Sequence, residues 1–212
     1  MVVAKQSRKR SRATRAQTRA RLLSAASEVF AERGYERASL DEVAAAAGLT
    51  KGAVYSSFAS KDDLFYALMR DRIGERLELV GHAVEQDLSL EERTRDAGDG
   101  LAGLISSQSD WHLLFIEFWT RAVRNPALQE EFARHRRSAR AAIAAFLEQQ
   151  ASLAGVDLPV PPDQLAIAVL ALSNGIAIEH LADPDTVDPS IFGVILGLLL
   201  DGLPIPTTSL AS

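Results

Sequence analysis

Closely spaced helix-start signals constrain this sequence more than any other feature. Ser39 is a strong N-cap residue, and Glu42, three positions later, completes a capping box. Thr50 and Ser60 offer two further caps within the next few turns. The pattern predicts two short helices joined by a very tight turn, followed by the start of a third helix. This is the pattern of a helix-turn-helix over residues 39–58, whose second helix enters the DNA major groove.

The second of these short helices has two distinct faces. Val54 and Phe58 are four residues apart, so they are predicted to lie on its buried side. The outward positions are Lys51, Gly52, Ala53, Tyr55, Ser56 and Ser57. One cation, one phenol, hydroxyls and two very small residues can approach a base pair closely, which favours DNA reading over an ordinary helical hairpin.

The side-chain chemistry predicts individual contacts with DNA. We expect Lys51 to donate to a guanine edge, and Tyr55 and Ala53 to meet the DNA backbone or a thymine methyl group. Hydroxyl groups and a further cation are predicted to hold phosphates. These phosphate-binding candidates are Ser39, Thr50, Ser57 and Lys61.

The same stretch resembles the TetR family of bacterial regulators. The matching residues are Gly34-Tyr35, Leu40, Val43-Ala44, Ala47 to Gly52, Val54-Tyr55, Phe58, Ser60 to Asp62, and Leu64. The chain departs from many members at Ser57, where they carry histidine or a larger residue. Residues 113–126 and 165–200 resemble the BetI-like type of regulatory domain. The resemblance implies an all-α dimer in which a long fourth helix joins a DNA-reading part to a regulatory body.

Charge divides the chain in a way that supports this organisation. Residues 1–60 carry 11 Lys and Arg against 5 Asp and Glu, whereas residues 61–212 carry 12 against 23. The resulting charges of +6 and −11 indicate a polyanion partner for the basic part alone. The predicted organisation is a disordered basic arm at 1–13, a DNA-binding domain at 14–75, an effector-binding and dimerisation domain at 76–203, and a disordered tail at 204–212.

Two apolar segments near the C-terminus predict a dimer interface. The predicted helices 163–181 and 190–203 are apolar on more than one face, so we expect them to be buried against a second subunit. The candidate interface residues are Leu170, Ile178, Leu196 and Leu199. The apolar runs 165–172, 175–178 and 191–200 are predicted to be too short to span a membrane. The polar residues Ser173, Asn174, Glu179 and His180 interrupt the first two of these runs. In the TetR family, the equivalent helices form a four-helix bundle across a twofold axis.

A stripe of aromatic residues predicts a ligand pocket. Both tryptophans and two of the eight phenylalanines lie within residues 111–119. The stripe consists of Trp111, Phe115, Phe118 and Trp119, with Asn174 and His180 as candidates from a facing helix. Apolar walls with a few polar groups describe a small-molecule site, although a plain core is the alternative.

Enzyme chemistry has little support in the sequence. No histidine pair lies three or four residues apart, so the helical zinc pattern is missing, and no catalytic residue, metal or cofactor is predicted. The chain contains no cysteine and no apolar signal segment, so a cytoplasmic location is expected. We therefore expect a homodimeric repressor that binds a near-palindromic operator in double-stranded DNA and is released by a small apolar or amphipathic effector. The alternatives are a dimeric DNA-binding protein without an effector, an activator, or a small helical enzyme.

Overall fold

The computed structural model describes the backbone of residues 2–84, 86, 90–155 and 157–200. The side chains of residues 2–13 and of a few others, including Leu199, lie outside this description, as does the predicted tail at 204–212. Every regular element in the described part is α-helical, which confirms the predicted fold class. The helices are α1 Val2–Arg37, α2 Leu40–Ala46, α3 Lys51–Ser57, α4 Lys61–Val84, α5 Leu90–Ser107, α6 Ser109–Arg124, α7 Pro126–Ala154, α8 Pro162–Ala182 and α9 Ile191–Leu200.

Helix α1 is interrupted at one position near its C-terminal end. Gly34 has a φ of +70°, a backbone conformation that favours glycine, so the regular helix is interrupted at this residue. At its other end the helix begins at Val2 and includes the residues predicted as a disordered arm. Residues 2–13 contain neither proline nor glycine and are rich in Ala, Arg and Lys, which all have high helix propensity.

The predicted caps set the boundaries of α2 and α3. The Ser39 hydroxyl accepts from the backbone N–H of Glu42 at 3.3 Å, while the Glu42 carboxylate accepts from the Ser39 N–H at 2.9 Å. The Ser39 hydroxyl also donates to the Glu42 carboxylate, and this bond, followed by the one from the Ser39 N–H, lowers the pKa of the Glu42 carboxyl. Gly48, with a φ of +62°, makes the tight turn, and Thr50 caps α3 through the backbone N–H of Ala53. The sequence thus predicts the helix-turn-helix correctly because its signals are local.

The chain forms two compact units, and their boundaries differ from the predicted domains. The first unit comprises residues 1–72 and 113–129, and the second comprises residues 73–112 and 130–212. The prediction placed all of 76–203 in one domain, but most of α6 belongs to the first unit. An aromatic stack explains this: Phe118 of α6 lies face to face with Phe65 of α4, with 3.9 Å between ring centroids.

The second unit is built on close contact between α5 and α9. A Cβ atom added to Gly98 would overlap the backbone of Gly193, and a Cβ atom added to Gly193 would overlap the backbone of Gly98. The two glycines therefore allow the backbones of the two helices to touch. Around this contact lies a buried apolar cluster formed by Leu101, Ile105, Ile176, Ala177, Phe192 and Leu196.

Candidate DNA interface

Helix α3 presents the face that the sequence predicts. Val54 and Phe58 are 0% and 1% exposed and anchor the helix in the first unit. Lys51, Gly52 and Tyr55 are exposed, and Tyr55 keeps 56% of its surface in solvent. The other predicted positions are Thr50 and Ser56, which are exposed, and Ala53 and Ser57, which are partly exposed. The outer face of α3 is therefore open to a partner along its whole length.

Gly52 has no role in the packing of the subunit. Among the atoms of the described residues, a Cβ atom added there would meet only the Thr50 hydroxyl, at an ordinary 3.9 Å. Glycine inside a helix costs about 0.5–1 kcal/mol relative to alanine, so the fold alone favours a larger residue at this position. What glycine provides is close access to the backbone of α3 from outside.

Lys51 is held by an acidic residue from the first helix of the motif. Its ammonium group donates to the Asp41 carboxylate at 2.5 Å, and its side chain remains 72% exposed. The hydrogen bond from this ammonium to Asp41, followed by the attraction of the carboxylate, raises the pKa of Lys51. Lys51 is thus fully charged at neutral pH and already paired in the absence of DNA.

The candidate hydroxyl groups differ in how much hydrogen-bonding capacity they keep. Ser57 donates its single proton to the Ala53 carbonyl at 2.8 Å, and Ser56 donates to the same carbonyl at 2.9 Å. Ser39 donates to the Glu42 carboxylate at 2.8 Å. Thr50 acts only as an acceptor in its capping bond, which leaves its proton for another partner. Thr50 is therefore the hydroxyl best suited to donate to a phosphate.

Lys61 does not fit the predicted role of a phosphate contact. Its ammonium donates to the carbonyls of Tyr35, Glu36 and Ala38 at 2.7, 2.9 and 3.0 Å, and it lies 4.6 Å from the centre of the Tyr35 ring. An ammonium has three donors, and all three are used within the first unit. The prediction missed this because the carbonyls that follow Gly34 reach Lys61 only through the tertiary fold.

Helix α6 completes the same region of the first unit. The Glu117 carboxylate accepts from the backbone N–H groups of Tyr35 and Glu36 at 2.8 and 3.2 Å, so it satisfies donors freed by the break at Gly34. Arg121 forms salt bridges with Glu36 and Asp62, both at 3.1 Å. Burial and then a hydrogen bond to Asp62 raise the pKa of the Tyr35 hydroxyl far above its usual value.

The aromatic stripe divides into residues with different environments. Phe118 is 0% exposed and stacks on Phe65, so it is a core residue of the first unit and not a pocket wall. Phe115 is also largely buried in that unit, whereas Trp119 is 48% exposed. Trp111 is buried and belongs to the second unit. Helical geometry explains the difference in exposure, since residues 111, 115 and 118 share the buried side and residue 119 lies at its edge.

Asn174 and His180 of α8 both lie in the second unit and are partly buried. The His180 Nδ1 atom lies 2.8 Å from the Val187 carbonyl oxygen, so the ring braces the turn that precedes α9. His112, by contrast, is 4% exposed, with Nδ1 at 2.9 Å from the Gln108 carbonyl oxygen. Among the described residues, no group of three or more acidic, histidine or cysteine side chains could hold a metal ion.

The predicted dimer residues also divide. Leu170 and Leu196 are 7% and 8% exposed and belong to buried clusters of the second unit, so they are not available to a second subunit. Ile178 is 47% exposed and keeps its predicted accessibility, whereas the side chain of Leu199 lies outside the described residues. Further exposed apolar side chains, missed by the prediction, are Ile167, Ile191, Val194 and Leu198.

Helix α8 also meets the length and hydropathy criteria for a membrane span. In its most apolar stretch of 18 residues, 28% is buried in the subunit. The prediction that this run is too short was therefore wrong, because the helix continues through Ser173 and Asn174 to Ala182. One such helix is weak evidence for a membrane, because the core helix of a soluble protein passes the same test.

A helix-turn-helix with an open second helix, followed by a wholly helical body, defines a class of DNA-binding regulators. Residues 22–68 match the family model for bacterial regulatory proteins of the TetR family, and residues 91–192 match the C-terminal domain of BetI-type transcriptional repressors. The chain belongs to the TetR family of transcriptional regulators, and its relatives are regulators and not enzymes.

Three similar proteins illustrate this membership. The transcriptional activator FasR of Mycolicibacterium smegmatis is 34% identical over 110 residues, which are 52% of this chain and 50% of FasR. The repressor AcnR of Corynebacterium diphtheriae is 27% identical over 168 residues, which are 79% of this chain and 83% of AcnR. The regulator FadR of Bacillus subtilis, solved in complex with stearoyl-CoA, superposes with a TM-score of 0.60 at 16% identity, covering 86% of this chain and 98% of FadR.

Proposed function

We infer that this protein is a cytoplasmic, homodimeric repressor that binds a near-palindromic operator and is released by a small apolar or amphipathic effector. The observation that carries the DNA-binding part is the open face of α3, where a glycine without a packing role lies beside a fully charged lysine. Each subunit reads only a few base pairs, so a specific site needs two subunits in a symmetric arrangement.

The contacts proposed for α3 follow from the geometry of its exposed face. Lys51 donates to the O6 and N7 atoms of a guanine, and Tyr55 and Ala53 meet the DNA backbone or a thymine methyl group. Thr50 donates to phosphate, whereas Ser39, Ser56 and Ser57 can accept hydrogen bonds or exchange their internal partners. Gly52 lets the backbone of α3 come close to the base edges.

Selection of duplexes by the purified protein tests this function. Bound sequences recovered from genomic fragments should share a near-palindromic site whose half-sites are about 34–36 Å, or one helical turn, apart. The Lys51→Ala variant should lose preference at one position in each half-site, because a good base contact is worth about 1–3 kcal/mol of discrimination.

A charge-matched control separates base reading from general attraction. Arg137 is exposed on α7 in the second unit, so Arg137→Ala removes one positive charge without touching α3. This control should recover the same site as the unmodified protein. Unchanged affinity and unchanged sequence preference in Lys51→Ala would show that the reading face has been assigned wrongly.

The exposed apolar residues of α8 and α9 support the dimer. Ile178, Val194 and Leu198 keep 47%, 64% and 51% of their surface in solvent, although both helices contribute to the core of the second unit. Apolar patches of this kind mark interaction surfaces. The mean hydropathy of α8 has the same explanation, since a helix buried on one side by its own subunit and on the other by a second copy must be apolar all round.

The effector proposal rests on α6. Its exposed Trp119 and buried Phe115 lie in the first unit, whereas Trp111 at its start lies in the second. A ligand bound beside Phe115 and Trp119 contacts a helix of the first unit, the unit that also contains α3. FadR of Bacillus subtilis was solved with stearoyl-CoA, an amphipathic thioester, so this compound is a reasonable first probe.

Activation of transcription is the alternative to repression. AcnR is named a repressor and FasR an activator, and the matched segment of FasR is half of that protein. A reporter gene placed behind the recovered operator distinguishes the two. Repression predicts higher expression when the regulator is deleted, and activation predicts lower expression.

A further inference from the structure

We propose that Asp41 is a specificity-determining residue, which withholds the Lys51 ammonium from phosphates and yields it to a G·C base pair. The inference rests on the proposed role of Lys51 in reading DNA. Asp41 lies in the first turn of α2 and Lys51 at the start of α3, so their pairing crosses the helix-turn-helix. The ammonium and the carboxylate oxygen Oδ2 are 2.5 Å apart.

The fold has little need of this pair. The side chains of Lys51 and Asp41 are 72% and 40% exposed, and an exposed ion pair contributes little to stability. The start of α2 is already capped by Ser39 and Glu42, and the start of α3 by Thr50. Stability of the fold therefore does not explain the Asp41–Lys51 pair, which leaves a role in DNA binding as its proposed purpose.

The hydrogen bonding of Asp41 points to the same conclusion. Its second carboxylate oxygen, Oδ1, is buried and has no hydrogen-bond partner among the described residues. The bond from Lys51 to Oδ2 is thus the one that binds this carboxylate to the protein. A partner that competes for Lys51 must also deal with the negative charge left on Asp41.

Phosphates and base edges satisfy the two side chains differently. A phosphate can accept from Lys51, but its negative charge repels Asp41. A G·C pair presents the O6 and N7 acceptors of guanine beside the N4 donor of cytosine, so it can accept from Lys51 and donate to Asp41 together. The pair therefore weakens attachment at random sequence while keeping, or strengthening, attachment at the operator.

Binding to the recovered operator and to random-sequence duplexes, each measured over a range of salt concentrations, tests this proposal. Asp41→Asn should tighten binding to random duplexes and steepen its salt dependence by about 0.9 on the log–log slope, as one more phosphate contact requires. The ratio of operator to random affinity should fall about 5- to 150-fold. Asp41→Glu, which restores the carboxylate, should behave like the unmodified protein.

Two controls separate this effect from a change in charge or in folding. Asp110 is exposed in the first turn of α6, so Asp110→Asn removes the same charge from the same kind of helix position. It should leave the affinity ratio unchanged. Asp41→Ser removes the carboxylate while suiting a helix start, and it replaces Asp41→Asn if that variant does not fold.

The two single variants Lys51→Ala and Asp41→Asn, together with the variant that carries both, distinguish failure of this inference from failure of the proposed function. If Lys51→Ala leaves operator preference unchanged, Lys51 does not read DNA and the proposed function fails at this site. If Lys51→Ala relaxes preference but Asp41→Asn changes operator and random affinities equally, the role of Asp41 is overturned alone. The proposal requires that Asp41→Asn change the affinity ratio less in the Lys51→Ala background than in the unmodified protein, because Asp41 then has no ammonium to withhold from phosphates.

Discussion

Two lysines close in sequence, Lys51 and Lys61, have different hydrogen-bonding partners. Lys51 lies on an exposed face, paired with one exposed carboxylate, whereas Lys61 spends all three of its donors on the carbonyls that follow Gly34. Chemistry alone gives both residues the same capacity to bind phosphate. Their different roles come from what the fold places within 3 Å of each ammonium.

Gly52 gives a prediction at the scale of one residue. Gly52→Ala should stabilise the protein by about 0.5–1 kcal/mol, because alanine is the better helix former and a Cβ atom fits there without a clash. The same methyl group should weaken operator binding by about 1–3 kcal/mol, since it overfills a close interface. Thermal melting and operator titration measure the two effects on one sample.

Gly103 supplies the matched control for that experiment. It lies inside α5, and a Cβ atom added there meets nothing within 4 Å. Gly103→Ala should therefore raise stability in the same way and leave operator affinity as it was. If Gly52→Ala binds the operator as tightly as the unmodified protein, the backbone of α3 does not approach DNA closely.

At the scale of elements, α6 is the helix whose place changes most from the prediction. Its sequence carries a stripe of aromatic residues that is compatible with a pocket wall, yet Phe118 is in the core of the first unit. Glu117 and Arg121, on the same helix, hold the chain beyond Gly34 and the start of α4. A helix that belongs by sequence to the body is thus part of the DNA-binding unit.

The exposed sides of α8 and α9 carry the prediction for the dimer. Ile178→Asp or Val194→Asp should convert the dimer to monomers with unchanged helix content, because either places an unpaired charge in the proposed interface. Leu153→Asp on α7 is the control, since Leu153 is 74% exposed and lies on neither helix. Sedimentation velocity gives the mass of each variant. Stable dimers from both α8 and α9 variants would place the interface elsewhere.

At the scale of the whole molecule, the proposed regulation requires that one ligand distinguish two shapes of the proposed dimer. The ligand can shift that equilibrium only by its differential affinity, and typical couplings are about 1–3 kcal/mol.

Tryptophan fluorescence measures this coupling directly. Stearoyl-CoA, the probe proposed above, should bind the free protein about 5- to 150-fold more tightly than the operator complex. Trp119→Ala should weaken that binding and leave operator affinity nearly intact, while Leu113→Ala, at another exposed apolar position of α6, should change neither affinity. Equal affinities with and without operator would exclude this compound as the releasing ligand.

The local signals of the sequence determined the two helices of the helix-turn-helix and the exposed face of α3. Capping by Ser39 and Thr50, the positive φ of Gly34 and Gly48, and the inward spacing of Val54 and Phe58 each act over a few residues, so they can be predicted from the chain itself. The tertiary structure alone decided which neighbours each apolar side chain packs against. Leu170 and Leu196 serve their own subunit, and Phe118 serves the first unit, because burial is decided by partners distant in sequence. The hydrophobicity of these residues predicts that they are buried, but it does not predict which residues they pack against.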